Sequence, residues 1–173
     1  MAITIIVEDD TGLATANSYS TEDEFLAYHT DRGVTVDTYE SEQIRAALAE
    51  GTIYLDLRWG SKAKSKPLLY TQALEFPRLY LTDKYGIQVV GVPDAWKQAC
   101  MIYALMYLQG TLYNTVPNAN APMLSATKTV IGPITTEKKY ATGSSASPAQ
   151  WKSFPLADNM AKQYTASGTG TIR

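Results

Sequence analysis

The stretch PDAWKQACMIYALMYLQG, residues 93–110, decides the fold that the sequence predicts. Pro93 fits the first position of a helix, because a first-turn residue needs no N–H partner, and Asp94 places a carboxylate at the positive end of the helix dipole. From Asp94 to about Gly110, apolar side chains cover nearly the whole circumference. A helix of this kind is buried on several sides, so we predict that it is the central helix.

Two further helices are predicted before the central one. The first, over residues 21–32, starts with Thr21 and Glu24 at the spacing of a capping box. The second follows Ser41 as its cap. Gly51 lies within this second helix and indicates a close crossing with another helix, because a residue without a side chain lets two backbones approach.

Extended segments and a final helix complete the prediction. β-branched residues at the N-terminus and over residues 127–140 predict extended arms, and the second segment could also form a hairpin. Residues 155–165 predict a short helix with Leu156, Met160 and Tyr164 on one face. The fold class is therefore mainly α, a small helical bundle around a long central helix, with β-like arms at the N-terminus and around 127–140.

One globular domain with appendages is expected, since 173 residues with 45% hydrophobic side chains can bury one core. An N-terminal arm, a helical core, a loop with an extended arm, and a short helix with a tail are predicted at residues 1–20, 21–112, 113–150 and 151–173. The most apolar run, residues 99–108, is far shorter than the roughly 20 residues that span a membrane. No signal peptide is recognised, so we expect a protein of the cytoplasm.

Charge is distributed unevenly along the chain. Residues 1–60 hold 3 Lys or Arg against 12 Asp or Glu, whereas residues 61–173 hold 12 against 5. Two oppositely charged faces suit a subunit that docks head-to-tail on its neighbours. An ordinary solvated surface is the alternative.

The sequence indicates no enzymatic chemistry. His29 is the only histidine and Cys100 the only cysteine, so neither a Ser–His triad nor a zinc site can be assembled from spacing. We interpret His29 as a packing or surface residue. The acidic residues at 9–10 and 22–24 are explained by a turn and by the first turn of a helix. We expect no catalytic residue, no metal ligand and no cofactor.

A basic loop at residues 60–67 is the one candidate binding feature. Lys62, Lys64 and Lys66 are possible contacts for DNA phosphates, and a solvated loop is the alternative. The 12 tyrosines are spread over the whole chain. This spread is more typical of core edges and protein interfaces than of a groove in which bases stack.

Short motifs that follow one another along most of the chain resemble a phage protein family. They lie at residues 7–13, 16–19, 47–60, 72–78, 92–95, 130–134 and 154–158. Together they are similar to the head-to-tail adaptor (neck, or head-completion connector) family of tailed bacteriophages. Some members of that family carry the label DnaT-like single-stranded DNA-binding protein. The sequence departs from the family in a longer polar loop at 114–126 and in a Gly/Thr-rich end.

The resemblance implies a structural virion protein without enzymatic activity. Such a subunit assembles as a ring, expected to be a dodecamer, that extends the DNA channel and completes the head for tail attachment. Its partners would be further copies, the portal protein, a tail or tail-completion protein and the double-stranded DNA in the channel, with no membrane. It would lie in the virion neck, and in the host cytoplasm during assembly, and its arms would become ordered on neighbouring copies.

The DnaT-like label leads to a second hypothesis, a single-stranded DNA-binding replication accessory protein. A net charge of -2 and the lack of a basic, aromatic groove signature weigh against it. The residues that would contact DNA on this hypothesis are Lys62, Lys64, Lys66, Lys138 and Lys139 at phosphates, with Tyr70 and Tyr140 stacked on bases.

Overall fold

The computed structural model describes residues 3–83, 85–113, 126–131, 134–139 and 152–166. The elements are α1 (Glu22–Thr30), α2 (Ser41–Trp59), a 3-10 turn (Gly60–Lys62), β1 (Lys66–Pro67), β2 (Arg78–Leu79), α3 (Asp94–Leu108), β3 (Ala126–Ile131), β4 (Ile134–Lys139) and α4 (Pro155–Lys162). The predicted mainly α fold class is confirmed. The chain divides into two compact units, a core unit formed from residues 1–113 and 153–173, and a second unit within residues 114–152.

α3 is the central helix of the core unit, as predicted, and it packs against α1, α2 and α4. Its completely buried side chains are Trp96, Ala99, Cys100, Tyr103 and Ala104. The helix begins at Asp94, and Pro93 is its N-cap rather than its first residue. Among the described residues, neither α3 nor any other helix combines the length and the hydrophobicity needed to cross a membrane.

α2 and α3 approach each other closely at Gly51. A Cβ atom on this glycine would lie 2.8 Å from the backbone nitrogen of Ala104 and 2.9 Å from the carbonyl oxygen of Cys100. The predicted close helix crossing is therefore confirmed. Next to it, the Cys100 sulfur lies 3.2 Å from the Thr52 hydroxyl. Burial raises the pKa of the Cys100 thiol to about 12.

The starts of α1 and α2 differ in how well the sequence predicted them. At α1 the capping box is present: the Glu24 N–H donates to the Thr21 hydroxyl at 3.1 Å, and the Thr21 N–H donates to the Glu24 carboxylate at 2.8 Å. At α2 the cap is Glu40, not Ser41. The Ser41 hydroxyl donates instead to the carboxylate of Glu22 in α1, so a contact between helices replaces the predicted local one.

His29 belongs to the core. Its ring is buried, its Nε2 lies 3.1 Å from the Met101 carbonyl oxygen, and its ring centre lies 4.6 Å from that of Phe25. Burial lowers the pKa of His29, because the charged ring would lose its hydration. The packing interpretation of this histidine therefore agrees with the structure.

Residues 3–20 form hydrogen bonds within their own segment. The Ile6 carbonyl accepts from the Asn17 N–H at 2.8 Å, and the Glu8 N–H donates to the Ser18 carbonyl at 3.0 Å. The Asn17 side chain adds a bond to the Ile6 N–H, also 2.8 Å. The N-terminal arm is thus held within one molecule, contrary to the expectation that it becomes ordered on a neighbouring copy.

β3 and β4 form an antiparallel hairpin in the second unit. Ile131 lies opposite Ile134 at its closed end, and Ala126 lies opposite Lys139 at its open end. Of the two alternatives for residues 127–140, the hairpin is the one observed.

The buried residues of α4 lie next to the predicted apolar face rather than on it. Its buried residues are Ala157, Asp158 and Ala161. Leu156 is 59% exposed, and Met160 and Tyr164 are only partly buried. The physical reason is an ion pair between Asp158 and Arg58 of α2, which turns a charged residue of α4 into the core.

Candidate nucleic-acid interface

A buried polar network fixes α4 against the end of α2. The Arg58 guanidinium lies 2.7 Å from the Asp158 carboxylate, and both side chains are less than one-tenth exposed. The Asp158 carboxylate also accepts from the Tyr103 hydroxyl at 2.6 Å and from the Phe154 N–H at 3.1 Å. The Trp59 indole N–H donates to the Tyr103 oxygen at 3.0 Å. α4 is therefore anchored at one position beside the basic loop.

Backbone carbonyls of the basic loop accept hydrogen bonds from the side chain of Arg78, which is 7% exposed. The Arg78 guanidinium donates to the carbonyl of Gly60 at 3.0 Å, to that of Ser65 at 2.8 Å and, more weakly, to that of Ala63 at 3.5 Å. It also forms an ion pair with Glu75. These inward-facing carbonyls hold the loop in one path, so Arg78 positions the three lysines predicted from the sequence.

The three predicted lysines lie close together along this loop. Lys62 and Lys66 are exposed and Lys64 is half-buried. The Lys64 ammonium donates to the Gln163 carbonyl at 3.3 Å, at the C-terminal end of α4, where a helix dipole favours a cation. The Lys62 ammonium lies 5.1 Å from the centre of the Trp59 ring.

α4 contributes a fourth lysine that the sequence reasoning missed. The Lys162 ammonium lies 5.6 Å from the centre of the same Trp59 ring that Lys62 approaches. The segment after α4 then pairs with the basic loop, since the Ala166 N–H donates to the Lys62 carbonyl at 2.8 Å. From the sequence, Lys162 was recognisable only as a residue near the end of a predicted helix. The sequence did not indicate that this helix would lie beside the basic loop.

These residues form a surface that we name the lysine edge. It consists of Lys62, Lys64, Lys66 and Lys162. Within the described ranges none of the four forms an ion pair with a carboxylate, whereas Arg58 and Arg78 next to them do. A group of ammonium ions without carboxylate partners attracts a polyanion, because each phosphate contact releases condensed counterions.

Exposed tyrosine rings lie on the β1–β2 hairpin, which also carries Lys66. Lys66 pairs with Leu79 across the two strands, and the next residue, Tyr80, is 80% exposed. Tyr70 lies in the loop that joins the strands and is fully exposed. Exposed rings close to cations are the combination with which proteins hold unpaired bases.

The other residues predicted to contact DNA belong to the second unit. Lys138 and Lys139 lie in β4, where they pair with Thr127 and Ala126. Tyr140 lies outside the described residues. The structure therefore brings together the three lysines of the basic loop, and places Tyr70 on the adjoining hairpin.

Asp56 connects the core to the segment that leads into Arg78. Its carboxylate accepts from the Tyr19 hydroxyl, at 2.7 and 2.9 Å to the two oxygens, and from the Glu75 N–H at 3.1 Å. The Phe76 N–H donates to the same Tyr19 oxygen at 3.2 Å. Burial raises the pKa of Asp56 to about 7. The charge of this carboxyl group therefore changes close to neutral pH.

We expect Asp56 to make the protein less stable as the pH rises from about 4 to about 7. The pKa of Asp56 is about 7 in the folded protein and about 3.9 in the unfolded chain, so the folded state binds more protons in this window. The free energy of unfolding then falls by at most about 1.4 kcal/mol per pH unit. Urea unfolding at several pH values should show this fall in the wild type and a smaller one in Asp56→Asn.

The comparison with Asp56→Asn isolates this one group. His29 acts in the opposite direction, because its lowered pKa removes stability as the pH falls. Since both proteins contain His29, its contribution cancels in the difference between the two pH profiles. Parallel profiles for the wild type and the variant would show that the folded pKa of Asp56 is not raised.

Comparisons with known proteins identify one family. A family model described as "Putative DnaT-like ssDNA binding protein" matches residues 3–173. No curated protein and no solved structure matches the chain. The resemblance to phage head-to-tail adaptors is thus corrected, and the virion ring, its portal and tail partners and its channel for double-stranded DNA were wrong predictions. Each motif behind them is short and structural, so it carries little information about function.

Proposed function

Since the chain belongs to the DnaT-like ssDNA-binding family, we propose that it binds single-stranded DNA at the lysine edge. The observation that carries the proposal is the set of four lysines without carboxylate partners among the described residues, together with the exposed rings of Tyr70 and Tyr80 on the hairpin that carries Lys66. The ammonium groups supply phosphate contacts, and the rings supply surfaces on which unpaired bases stack.

Several lysines of this edge are already restrained before DNA binds. Lys64 is held at the end of α4, and Lys62 and Lys162 lie against Trp59. Ordering a lysine side chain loses up to about 2 kcal/mol of conformational entropy. Because part of that loss has occurred on folding, the restrained lysines favour binding more than freely rotating ones would.

The acidic residues at the start of α2 lie far from this positive surface. Glu40 and Glu42 lie at the start of α2, and Glu22 is linked to that end through Ser41. α2 has 19 residues, so its two ends are separated by about 28 Å at 1.5 Å per residue. This distance is several times the Debye length of about 8 Å at physiological salt. The net charge of -2 therefore allows a local site for a polyanion.

We expect the wild type to bind a fluorescein-labelled oligothymidylate with a strong dependence on salt. Each phosphate contact to a single strand contributes about -0.7 to the slope of log affinity against log salt, so four lysines give a slope of about -3. The variant Lys62→Ala/Lys64→Ala/Lys66→Ala should lose about two units of slope and at least about tenfold in affinity at low salt. Fluorescence anisotropy titrations over a range of KCl concentrations measure both.

A variant with the same change of net charge provides the control. Arg32→Ala/Arg45→Ala/Lys97→Ala removes three cations outside the lysine edge, just after α1, near the start of α2 and near the start of α3. Its slope should equal that of the wild type. An equal loss in both triple variants would show that only total charge matters, and an absence of binding by the wild type at low salt would overturn the proposal.

A further inference from the structure

Tyr80 adopts a backbone conformation that is unusual for a residue with a side chain. Its φ is 55°, in the left-handed region, where a Cβ atom lies too close to the following carbonyl oxygen. The side chain is 80% exposed. Within the described part of the chain, its ring stacks on no other ring and its hydroxyl forms no hydrogen bond. Packing in the folded protein therefore does not compensate for the strain.

Ser65 provides a comparison, because it lies at the corresponding position on the other strand of the hairpin. Lys66 pairs with Leu79, so Ser65 and Tyr80 are the next residues at the same end of the strands. Ser65 is also left-handed, with a φ of 65°. Its carbonyl accepts from Arg78 at 2.8 Å, which explains its conformation. Among the residues that the structure describes, Tyr80 has no such bond, and strain without an internal reason is typical of a residue that contacts a ligand.

We propose that Tyr80 is the residue on which an unpaired nucleobase stacks, and that it makes the lysine edge select single strands over duplexes. This inference rests on the proposed function. Tyr80 lies one residue beyond the strand partner of Lys66, so the proposed DNA strand runs along the end of the hairpin that carries both residues. In a duplex both faces of each base are covered by its neighbours, and only an unpaired base can offer a face to the ring.

The test uses the full chain with Tyr80→Gly and Tyr80→Phe. Glycine accepts a positive φ, so Tyr80→Gly should fold with a thermal midpoint equal to or above that of the wild type while losing the ring. Phenylalanine keeps the ring and removes only the hydroxyl. Three probes of equal length are titrated at one salt concentration: oligothymidylate, an abasic oligodeoxynucleotide, and a blunt duplex.

Tyr80→Gly should bind oligothymidylate about tenfold more weakly than the wild type and bind the abasic strand and the duplex as the wild type does. Tyr80→Phe should match the wild type on all three probes. The inference is overturned if Tyr80→Gly binds oligothymidylate normally, or if it weakens all three probes equally. A wild type that binds none of the probes contradicts the proposed function itself, which separates that failure from a failure of the role of Tyr80.

Discussion

Gly51→Ala is expected to lower the free energy of unfolding by about 1–2 kcal/mol, although alanine is the better helix former. The new Cβ atom would meet the backbone of α3 at Cys100 and Ala104, at distances below 3.0 Å. Backbone atoms cannot turn aside as a flexible side chain can, so α2 and α3 must separate and lose packing along their contact. Overpacking of this kind costs about 1–3 kcal/mol and sometimes more, against a gain of about 1 kcal/mol in helix propensity.

Equilibrium urea unfolding followed by circular dichroism measures this loss. Ile53→Ala on the same helix is the control, because Ile53 is 49% exposed and its truncation should cost less than about 1 kcal/mol. If Gly51→Ala unfolds at the same urea concentration as the wild type, the two helices do not cross at Gly51. A small domain has only about 5–15 kcal/mol of stability, so the expected loss is a large part of it.

Asp158→Ala is expected to be still more destabilising, by about 3–5 kcal/mol. It leaves the Arg58 guanidinium, which is 9% exposed, without the carboxylate that lies 2.7 Å away. It also removes the acceptor of the Tyr103 hydroxyl and of the Phe154 N–H. Breaking a buried ion pair costs this much because a charge stays buried without compensation. Unfolding by urea, and faster cleavage by trypsin after Lys162, should both report the loosening of α4.

Two further variants test whether the loss of stability comes from leaving a charge buried or from losing the ion-pair contact. Arg45→Ala breaks the ion pair between Arg45 and Glu22, whose side chains are 40% and 26% exposed, and should cost less than about 1 kcal/mol. Arg58→Met/Asp158→Leu replaces both buried charges with apolar side chains, and it should be more stable than Asp158→Ala alone. A double variant as unstable as the single one would show that the network acts mainly through its hydrogen bonds to Tyr103 and Phe154.

The parts of the fold that the sequence predicted correctly are those determined within a few residues. The capping box at Thr21 and Glu24 and the start of α3 near Pro93 need only local spacing and local backbone preferences. Gly51 was informative because a glycine inside a helix is unfavourable unless it allows close packing. The burial of Asp158 on α4 was not predicted because it depends on a contact with Arg58, 100 residues away.

In the candidate site, too, the residues that were predicted depend on local sequence and those that were missed depend on long-range contacts. Lys62, Lys64 and Lys66 were recognised because they follow one another in a single loop. Lys162 and Arg78 were missed, since their contribution depends on which element lies beside them in space. The left-handed conformation of Tyr80 leaves no trace in the pattern of residue types, because tyrosine is not a residue type that signals a positive φ.

The buried thiol beside Thr52 has a practical consequence for spectroscopy. Maleimides and iodoacetamides react with an accessible thiolate, and the thiol of Cys100 is completely enclosed with its pKa raised to about 12. Because the chain contains no other cysteine, the natural sequence already serves as a background for site-specific labelling. The variant Ser61→Cys, at an exposed position of the basic loop, would carry a single dye or spin label, and Cys100 would not have to be replaced first.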